Sequence, residues 1–373
     1  MIEAISTRKN QPDPSFAAKL NRKVRLDRIG SVTSPARLGG IVEISPTIPA
    51  EEGIVIVGKA LGEHRSYGEM ELPTGRKAKI VKGNLVAGAL GARMALHGYM
   101  GHIPDRVEVG QVLAMLNMAG VMGVCPQPNK AMGPPIPIEI MGCIVRDGKP
   151  LNIKDYGLPP CAGLAKEGPP LVLVLGTCMN SGKTYAATET IRILSHGSKM
   201  HPPMRIAAGK LAGVAALRDT LAMGDNGAIE TASFLNYGLP STVLTKDLAT
   251  VARSVIAHLE ESDPDVIVLE LGDGIIGGYN GRSVLEDDSI RERTACRILC
   301  ANDIVGAWGG VKYLEDLKHV PEILSGPVTD NAVGTTYIEN ELKTHCANAM
   351  VDPEKLAGLV IEYVKPKVKG GKG

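Results

Sequence analysis

The sequence predicts an α/β protein, with a C-terminal three-layer domain built on a mostly parallel sheet and a small β-rich domain before it. Three observations carry this. A chain of 373 residues exceeds what one core usually organises, so two domains are expected. Between residues 41 and 145, short apolar runs are broken by Gly and Pro, the texture of strands and tight turns. Beyond residue 170, strand-length apolar runs alternate with helix-length stretches, as in a parallel sheet covered on both faces.

Residues 1–30 are polar and charged and include Pro12 and Pro14, which reads as an extended N-terminal arm. Arg22, Lys23, Arg25 and Arg28 fit a solvated or inter-subunit segment of it. The β-rich domain spans residues 31–156, with strands expected at 53–57, 79–81, 107–109, 112–116 and 138–141. Residues 103–116 read as strand–turn–strand with Gly110 at the turn, whereas 83–100 fits either a helix or a closely packed strand. Residues 157–170 contain two Pro-Pro pairs and read as a semi-rigid linker.

The α/β domain covers residues 171–373. Its first run, Leu171-Val-Leu-Val-Leu175, is uninterrupted and suits a strand buried on both faces. A helix is expected at 184–195, strands at 205–208 and 241–244, a helix at 248–261 and a strand at 265–270. Asp225-Asn226-Gly227 reads as a turn followed by a helix, with Asp225 and Glu230 as minor metal or substrate candidates. Residues 290–300 read as a helix running into a strand near Ala301, and 353–364 as the closing helix.

Composition narrows the function classes. Hydrophobic residues make up 44% of the chain, ample for two cores, and 44 Gly with 25 Pro imply many tight turns. Aromatics are only 3%, too few for a platform that stacks single-stranded nucleic acid. A formal net charge of +1 demands neither a polyanion nor a membrane surface, and the basic tail 365–373 reads as a frayed terminus. No run reaches the roughly 18–20 apolar residues that span a bilayer. Seven cysteines, without a CxxC pair or a leader sequence, suit the reducing cytoplasm. Cys296 and Cys300 would share a helical face, but no neighbouring His completes a zinc set. Expected partners are a small-molecule substrate and further copies of the chain in a homo-oligomer, with no nucleic acid and no membrane.

The chemistry is concentrated in Leu175-Gly176-Thr177-Cys178-Met179-Asn180-Ser181-Gly182-Lys183-Thr184. A buried strand, a turn with free backbone N–H groups and a helix N-terminus occur here in the order that cradles phosphate. This is the signature of a P-loop NTPase-like domain. Gly182 lets backbone approach the phosphate, Lys183 can reach terminal phosphates, and the Thr184 hydroxyl can ligate Mg²⁺. The loop departs from GxxxxGK[ST], because Thr177 stands where the first Gly belongs and Gly176 lies one residue earlier.

Gly-Thr-x-x-x-x-Gly-Lys-Thr resembles the loop of the dethiobiotin synthetase group of P-loop enzymes. Lys210, in Ala207-Ala-Gly-Lys210-Leu, resembles the lysine that follows the second strand in that group. Asp265-Val-Ile-Val-Leu-Glu270-Leu-Gly-Asp273-Gly274 resembles its strand ending in an acidic residue and a glycine-rich turn. Read from the residues alone, a carboxylate there stands where Mg²⁺ needs charge, with Glu270 the first candidate and Asp273 the second. Cys178 occupies the position where the deviant loop of ATP-driven partitioning and metal-insertion proteins carries a Lys, which argues against a switch of that kind. A second resemblance, a β-type N-terminal domain followed by a loop similar to Gly-Thr-x-Cys-x-x-Gly-Lys, is to the family that includes D-glutamate N-acetyltransferases. Here the Cys is Cys178, displaced by none or one position depending on the loop alignment, and Lys183 is followed directly by Thr184. This resemblance implies acyl transfer from a coenzyme A thioester, whose diphosphate would also suit the loop.

Further candidates flank the loop. Arg218 and Asp219, on a Gly-containing segment, could hold a carboxylate substrate, Arg218 as a two-pronged clamp. Asn302 or Asp303 could read a nucleotide base and Trp308 cover a ring, with a turn and a core position as the plainer reading. The histidines are scattered, without HxH or HExxH, and no nucleophilic triad can be assembled. The leading expectation is a transferase or ligase using ATP and Mg²⁺ to phosphorylate or ligate a small carboxylate or amino-acid metabolite. Lys183, Lys210 and Glu270 would be its catalytic residues. The alternatives are coenzyme A-dependent N-acyl transfer to an amino acid and a nucleotide-dependent regulatory or metal-delivery switch.

Overall fold

The computed structural model describes residues 21–64, 67–161, 163–198 and 201–365. The first 20 residues of the expected arm, and the tail from residue 366, lie outside the described residues.

The N-terminal half is mainly β, with short 3-10 turns at Ser31–Ala36 and Ile153–Tyr156. Its strands are β1 Arg22–Arg25, β2 Arg28–Ile29, β3 Ile41–Ser45, β4 Val55–Ala60, β5 Glu69–Glu71, β6 Lys77–Lys79 and β7 Leu85–Leu90. They continue as β8 Arg93–Met94, β9 Met100–Gly101, β10 Val112–Met115, β11 Val121–Gly123, β12 Pro137–Arg146 and β13 Lys149–Pro150. The long strand β12 pairs with both β10 and β4, while β4 pairs with β7, β7 with β11 and β11 with β10. These pairings form a closed ring of five strands, which leaves no unpaired edge inside it. Alternate residues such as Ile56, Leu113, Met115, Met122, Ile138 and Ile140 fill one apolar cluster.

Two sequence expectations change here. Residues 22–29 belong to the sheet, not to an arm, because β1 pairs with β3 and β2 with β7. Their basic side chains fit a strand at a sheet edge, where charge faces water and discourages further pairing. Residues 107–109 form no strand, and Val107 makes only an isolated bridge to Ile48. The ambiguous stretch 83–100 is β throughout its regular part, entered through a turn at Gly83 with φ of 95°.

The C-terminal half holds the parallel sheet. Its strands are β14 Leu171–Gly176, β15 Ile206–Lys210, β16 Ala228–Ser233, β17 Val266–Glu270, β18 Thr294–Cys300, β19 Ile323–Ser325 and β20 His345–Cys346. The spatial order is β16-β15-β17-β14-β18-β19-β20, with every neighbouring pair parallel. Helices α1 Lys183–His196, α2 Arg218–Asp225, α3 Leu248–Glu260 and α4 Gly281–Leu285 are followed by α5 Asp288–Arg293, α6 Ile304–Asp316, α7 Ala332–Tyr337 and α8 Pro353–Val364. Strand β14 shows why the sequence run was uninterrupted. Leu171, Leu173 and Leu175 enter the apolar cluster beneath α3 and α6, while Val172 and Val174 enter the one beneath α1 and α8.

The third strand expected at 241–244 is absent, for Ser241 makes only an isolated bridge to Val214. The third strand is β16, formed where a helix was expected after Gly227. Its half-buried pattern suits the edge position it takes. Residues 290–300 divide at Thr294, so Cys296 and Cys300 share a strand face buried in the sheet and not a helical one. The two halves pack through one continuous apolar cluster, in which Val32, Ala36 and Ile153 meet Ala215, Phe234 and Leu235.

Candidate functional site

The loop 177–182 leaves β14 at the C-terminal edge of the sheet, with β18 bonded to it on one side and the segment after β17 on the other. Thr177 N–H donates to Cys300 O (3.0 Å), and Ile275 N–H donates to Gly176 O (2.8 Å). Two glycines answer to different demands. Gly182 sits at φ 94°, a left-handed conformation that costs a side-chain-bearing residue energy. Gly176 answers to space, since a Cβ there would lie 2.4 Å from Ser181 Oγ and 2.8 Å from Lys183 Cδ. The glycine one position early is therefore what makes room for the Lys183 stem.

Lys183 is 6% exposed, and its Nζ donates to Cys178 O at 2.8 Å, so the ammonium is folded across its own loop. Thr184, on the first turn of α1, donates from Oγ1 to Glu270 Oε1 at 3.3 Å. Glu270 ends β17, next to β14, and is 3% exposed. Its Oε2 is buried without a hydrogen-bond partner among the described residues. Burial, then repulsion from Asp219, holds the Glu270 carboxyl above the usual carboxylate range, against the pull of Lys210 and Lys183 and the Thr184 hydroxyl. Lys210 ends β15 and forms a buried ion pair with Asp219. Burial alone would lift Asp219, but Lys210 and Arg218 outweigh it and hold the carboxyl below its ordinary value. For Lys210, burial pulls downward, and the charges of Asp219 and Glu270 prevail to raise it.

Lys183, Thr184, Lys210, Arg218, Asp219 and Glu270 all line one cavity of about 400 Å³, which Asp273, Met179, Asn180 and Gly182 also border. Segment 218–225 is the helix α2 and not a loop, which sets Arg218 and Asp219 on its first turn. Arg218 Nε lies 3.3 Å from Asp219 Oδ1, with most of its side chain exposed at the rim. Burial raises the Asp273 carboxyl, against Lys183, the Gly274 backbone N–H and Arg93.

An oxygen-seeking cation fits this arrangement. The Thr184 hydroxyl and the orphaned Glu270 oxygen are hard donors facing the phosphate loop, the ligand type Mg²⁺ prefers. Glu270 burial disfavours a bare carboxylate, and a bound dication would offset that cost.

Asn302 lies outside this cavity. Its Nδ2 donates to Cys178 Sγ at 3.2 Å, touching the loop from its other side. Asp303 caps α6 by accepting from Gly306 N–H (2.7 Å), as a turn residue would. Trp308 is 49% exposed on α6, which removes it from the core. The far wall of the cavity was not anticipated: Asn348, whose Nδ2 donates to Asp330 Oδ1 (2.8 Å), stands there with Pro327 and Met350.

Two more cavities adjoin the loop at the junction of the halves. One of about 580 Å³ is lined by Met94, Leu96, Met100 and Ile276 and by Cys178. The other, of about 140 Å³, is bordered by Tyr67, Glu71, Arg93 and Tyr279 together with Lys210 and Arg218. Met179 and Asp273 line all three. Glu71 locks the halves together, accepting from Leu217 N–H and Arg218 N–H at 2.8 Å each and from the Ser31 hydroxyl.

No family model matches the chain, and no curated protein matches it. Among solved structures, it is similar to the signal recognition particle receptor FtsY from Elizabethkingia anophelis, at 14% identity over 53% of this chain and 67% of that one, with a TM-score of 0.34. Chloroplast FtsY from Physcomitrella patens aligns at 12% identity over 57% and 76% of the two chains, TM-score 0.33. FlhF complexed with GMPPNP/Mg(2+) aligns at 13% identity over 52% and 67%, TM-score 0.28. The P-loop character of the C-terminal half rests on its own β14–loop–α1 unit and parallel sheet.

Proposed function

We propose that this chain binds ATP with Mg²⁺ at the phosphate loop and uses it to phosphorylate or ligate a small carboxylate or amino-acid metabolite. The observation that carries this reading is the convergence of Lys183, Thr184, Lys210, Arg218 and Glu270 on one cavity at a helix N-terminus. Bound there, Mg²⁺ would neutralise phosphate charge, with Thr184 and Glu270 as its protein-side holders. Lys183 would turn from Cys178 O to the terminal phosphates, and Lys210, kept charged by Asp219 and Glu270, would face the transferred group. An ionised acceptor carboxylate would form the new P–O bond as the bond to the β–γ bridging oxygen breaks and the nucleoside diphosphate leaves with its electron pair. Such an acceptor gives up no proton, so the step needs no general base. The likeness of the loop to that of the dethiobiotin synthetase group supports the same chemistry.

A second reading is favoured by the 580 Å³ groove, whose Leu96 and Ile276 are 74% and 70% exposed. An apolar arm such as that of coenzyme A would cover them. In that case the acyl C–S bond breaks as a C–N bond to an amino acid forms, and the thiol leaves with a proton from the amine. Calorimetry with ATP–Mg²⁺, GTP–Mg²⁺ and acetyl-coenzyme A separates the readings. Binding of ATP–Mg²⁺, with ADP formation on adding small acids, supports the first. Binding of acetyl-coenzyme A but neither nucleotide overturns it in favour of the second.

A further inference from the structure

Arg93 comes from the β-rich half, yet it lines the 140 Å³ cavity that opens beside Lys210 and Arg218. It is 4% exposed. Its Nη1 donates to Leu116 O, its guanidinium faces the Tyr67 ring with 5.7 Å to the centroid, and its buried Nε has no hydrogen-bond partner among the described residues. A guanidinium stays charged at any ordinary pH, so burial without an anion in contact is costly. Asp273 borders the cavity and feels the charge of Arg93, yet among the described residues no carboxylate forms an ion pair with this guanidinium, and the other two carboxylates there are engaged elsewhere. Glu71 is held by two backbone N–H groups and the Ser31 hydroxyl, and Asp219 by Lys210 and Arg218. A permanent cation without an ion-pair partner among the described residues, in a cavity one wall from the phosphate loop, marks a place for an anionic ligand.

We infer that Arg93 is the carboxylate-binding residue of the acceptor site, and that the acceptor is a small organic acid held between the two halves. The cavity volume equals the space of roughly five waters, which suits a metabolite of amino-acid size and not a nucleotide. Lys210, Arg218 and Asp273 border both this cavity and the phosphate-loop cavity, so an acid anchored on Arg93 points its other end toward the transfer position. The role of the N-terminal half is thereby assigned: it supplies the acceptor pocket. The inference rests on the reading of the loop as a phosphate-transfer site for its direction, but the binding itself does not require that reading.

The experiment measures binding of succinate, L-glutamate, D-glutamate and the neutral analogue succinamide to the full chain by calorimetry and thermal shift. Each is run with and without Mg²⁺ and the β,γ-imido analogue of ATP. The expected result is that at least one acid binds and raises Tm while succinamide does neither. Arg93→Lys and Arg93→Gln should weaken that acid by about 30-fold or more and leave the affinity for the analogue within about twofold. Arg93→Gln keeps an N–H for Leu116 O, and removing an underpaired buried charge should leave the ligand-free Tm unchanged or higher. Acid binding that is unaltered in folded Arg93→Lys, or no binding by any acid in the panel, overturns the inference. Failure of the nucleotide analogue to bind, with acid binding still dependent on Arg93, would instead sink the phosphate-loop reading and leave this one standing.

Discussion

Thr184 Oγ1 stands 3.3 Å from Glu270 Oε1, which couples the first turn of α1 to the end of β17, and the second Glu270 oxygen is buried with no hydrogen-bond partner among the described residues. A carboxylate left half-satisfied beneath a phosphate loop costs stability in the absence of a ligand, a cost that a bound cation would offset.

Glu270→Gln tests that trade. Removing the charge should weaken Mg²⁺-dependent nucleotide binding by about 10–100-fold, read by calorimetry at several Mg²⁺ concentrations. The pH dependence has a definite sign. The folded-state pKa is raised by burial, so the associated stability is fully present below the unfolded value and is lost as pH rises through the folded one. The ligand-free native chain should therefore lose stability relative to Glu270→Gln as pH climbs above about 4.3. Parallel pH–stability curves for the two proteins would contradict this.

Lys183→Ala removes the ammonium that now rests on Cys178 O. Loss of one charged donor at a transferring group typically costs about 100- to 1,000-fold in rate. Turnover should fall by that order while the far-ultraviolet dichroism and Tm stay near the native values. A variant that retains full activity would strip the loop of its assigned role.

The Lys210–Asp219 pair is buried at both ends, with side chains 11% and 6% exposed. Asp219→Ala strands a buried ammonium and should cost about 3–5 kcal/mol in urea unfolding, more than the joint replacement Lys210→Met/Asp219→Leu. Because the folded pKa of Asp219 is lowered, its contribution is present above the unfolded value and lost as pH falls through the folded one. Asp219→Asn should accordingly flatten the acid limb of the stability curve below about pH 3.9.

Glu71→Ala should loosen the junction of the two halves. It leaves Leu217 and Arg218 N–H groups without their acceptor and should cost about 2–4 kcal/mol. The start of α2 also loses its anchor, so acceptor KM should rise more than nucleotide KM. An equal change in both would place the effect in global stability alone.

Much of the fold was legible because the relevant physics is local. A five-residue apolar run between turn formers suits a strand buried on both faces, and Leu171 to Leu175 divide between two clusters as that reading requires. Strand β16 was misread as a helix because Ala, Ile, Glu and Thr after Gly227 fit either period, and pairing beside β15 decided the matter. The edge strands at 22–29 looked like an arm because an edge tolerates the charges that also mark a solvated segment. Arg93 carried no signal at all. An arginine two residues after Gly91 in an apolar stretch reads as a surface residue until a second half of the chain closes over it.

By itself, the sequence determined the phosphate loop, its strand and its helix, because these are contiguous and their backbone demands are written in Gly176 and Gly182. It also marked Glu270 as a strand-end residue and placed Lys210 just after the second strand, which the structure extends to Lys210 itself. What only the tertiary structure decided is the company those residues keep. Lys210 meets Asp219, Glu270 leaves one oxygen orphaned under Thr184, and Arg93 reaches the site from the other half of the chain. Those relations are set by burial and by contacts between residues far apart in sequence, energies that no local pattern encodes.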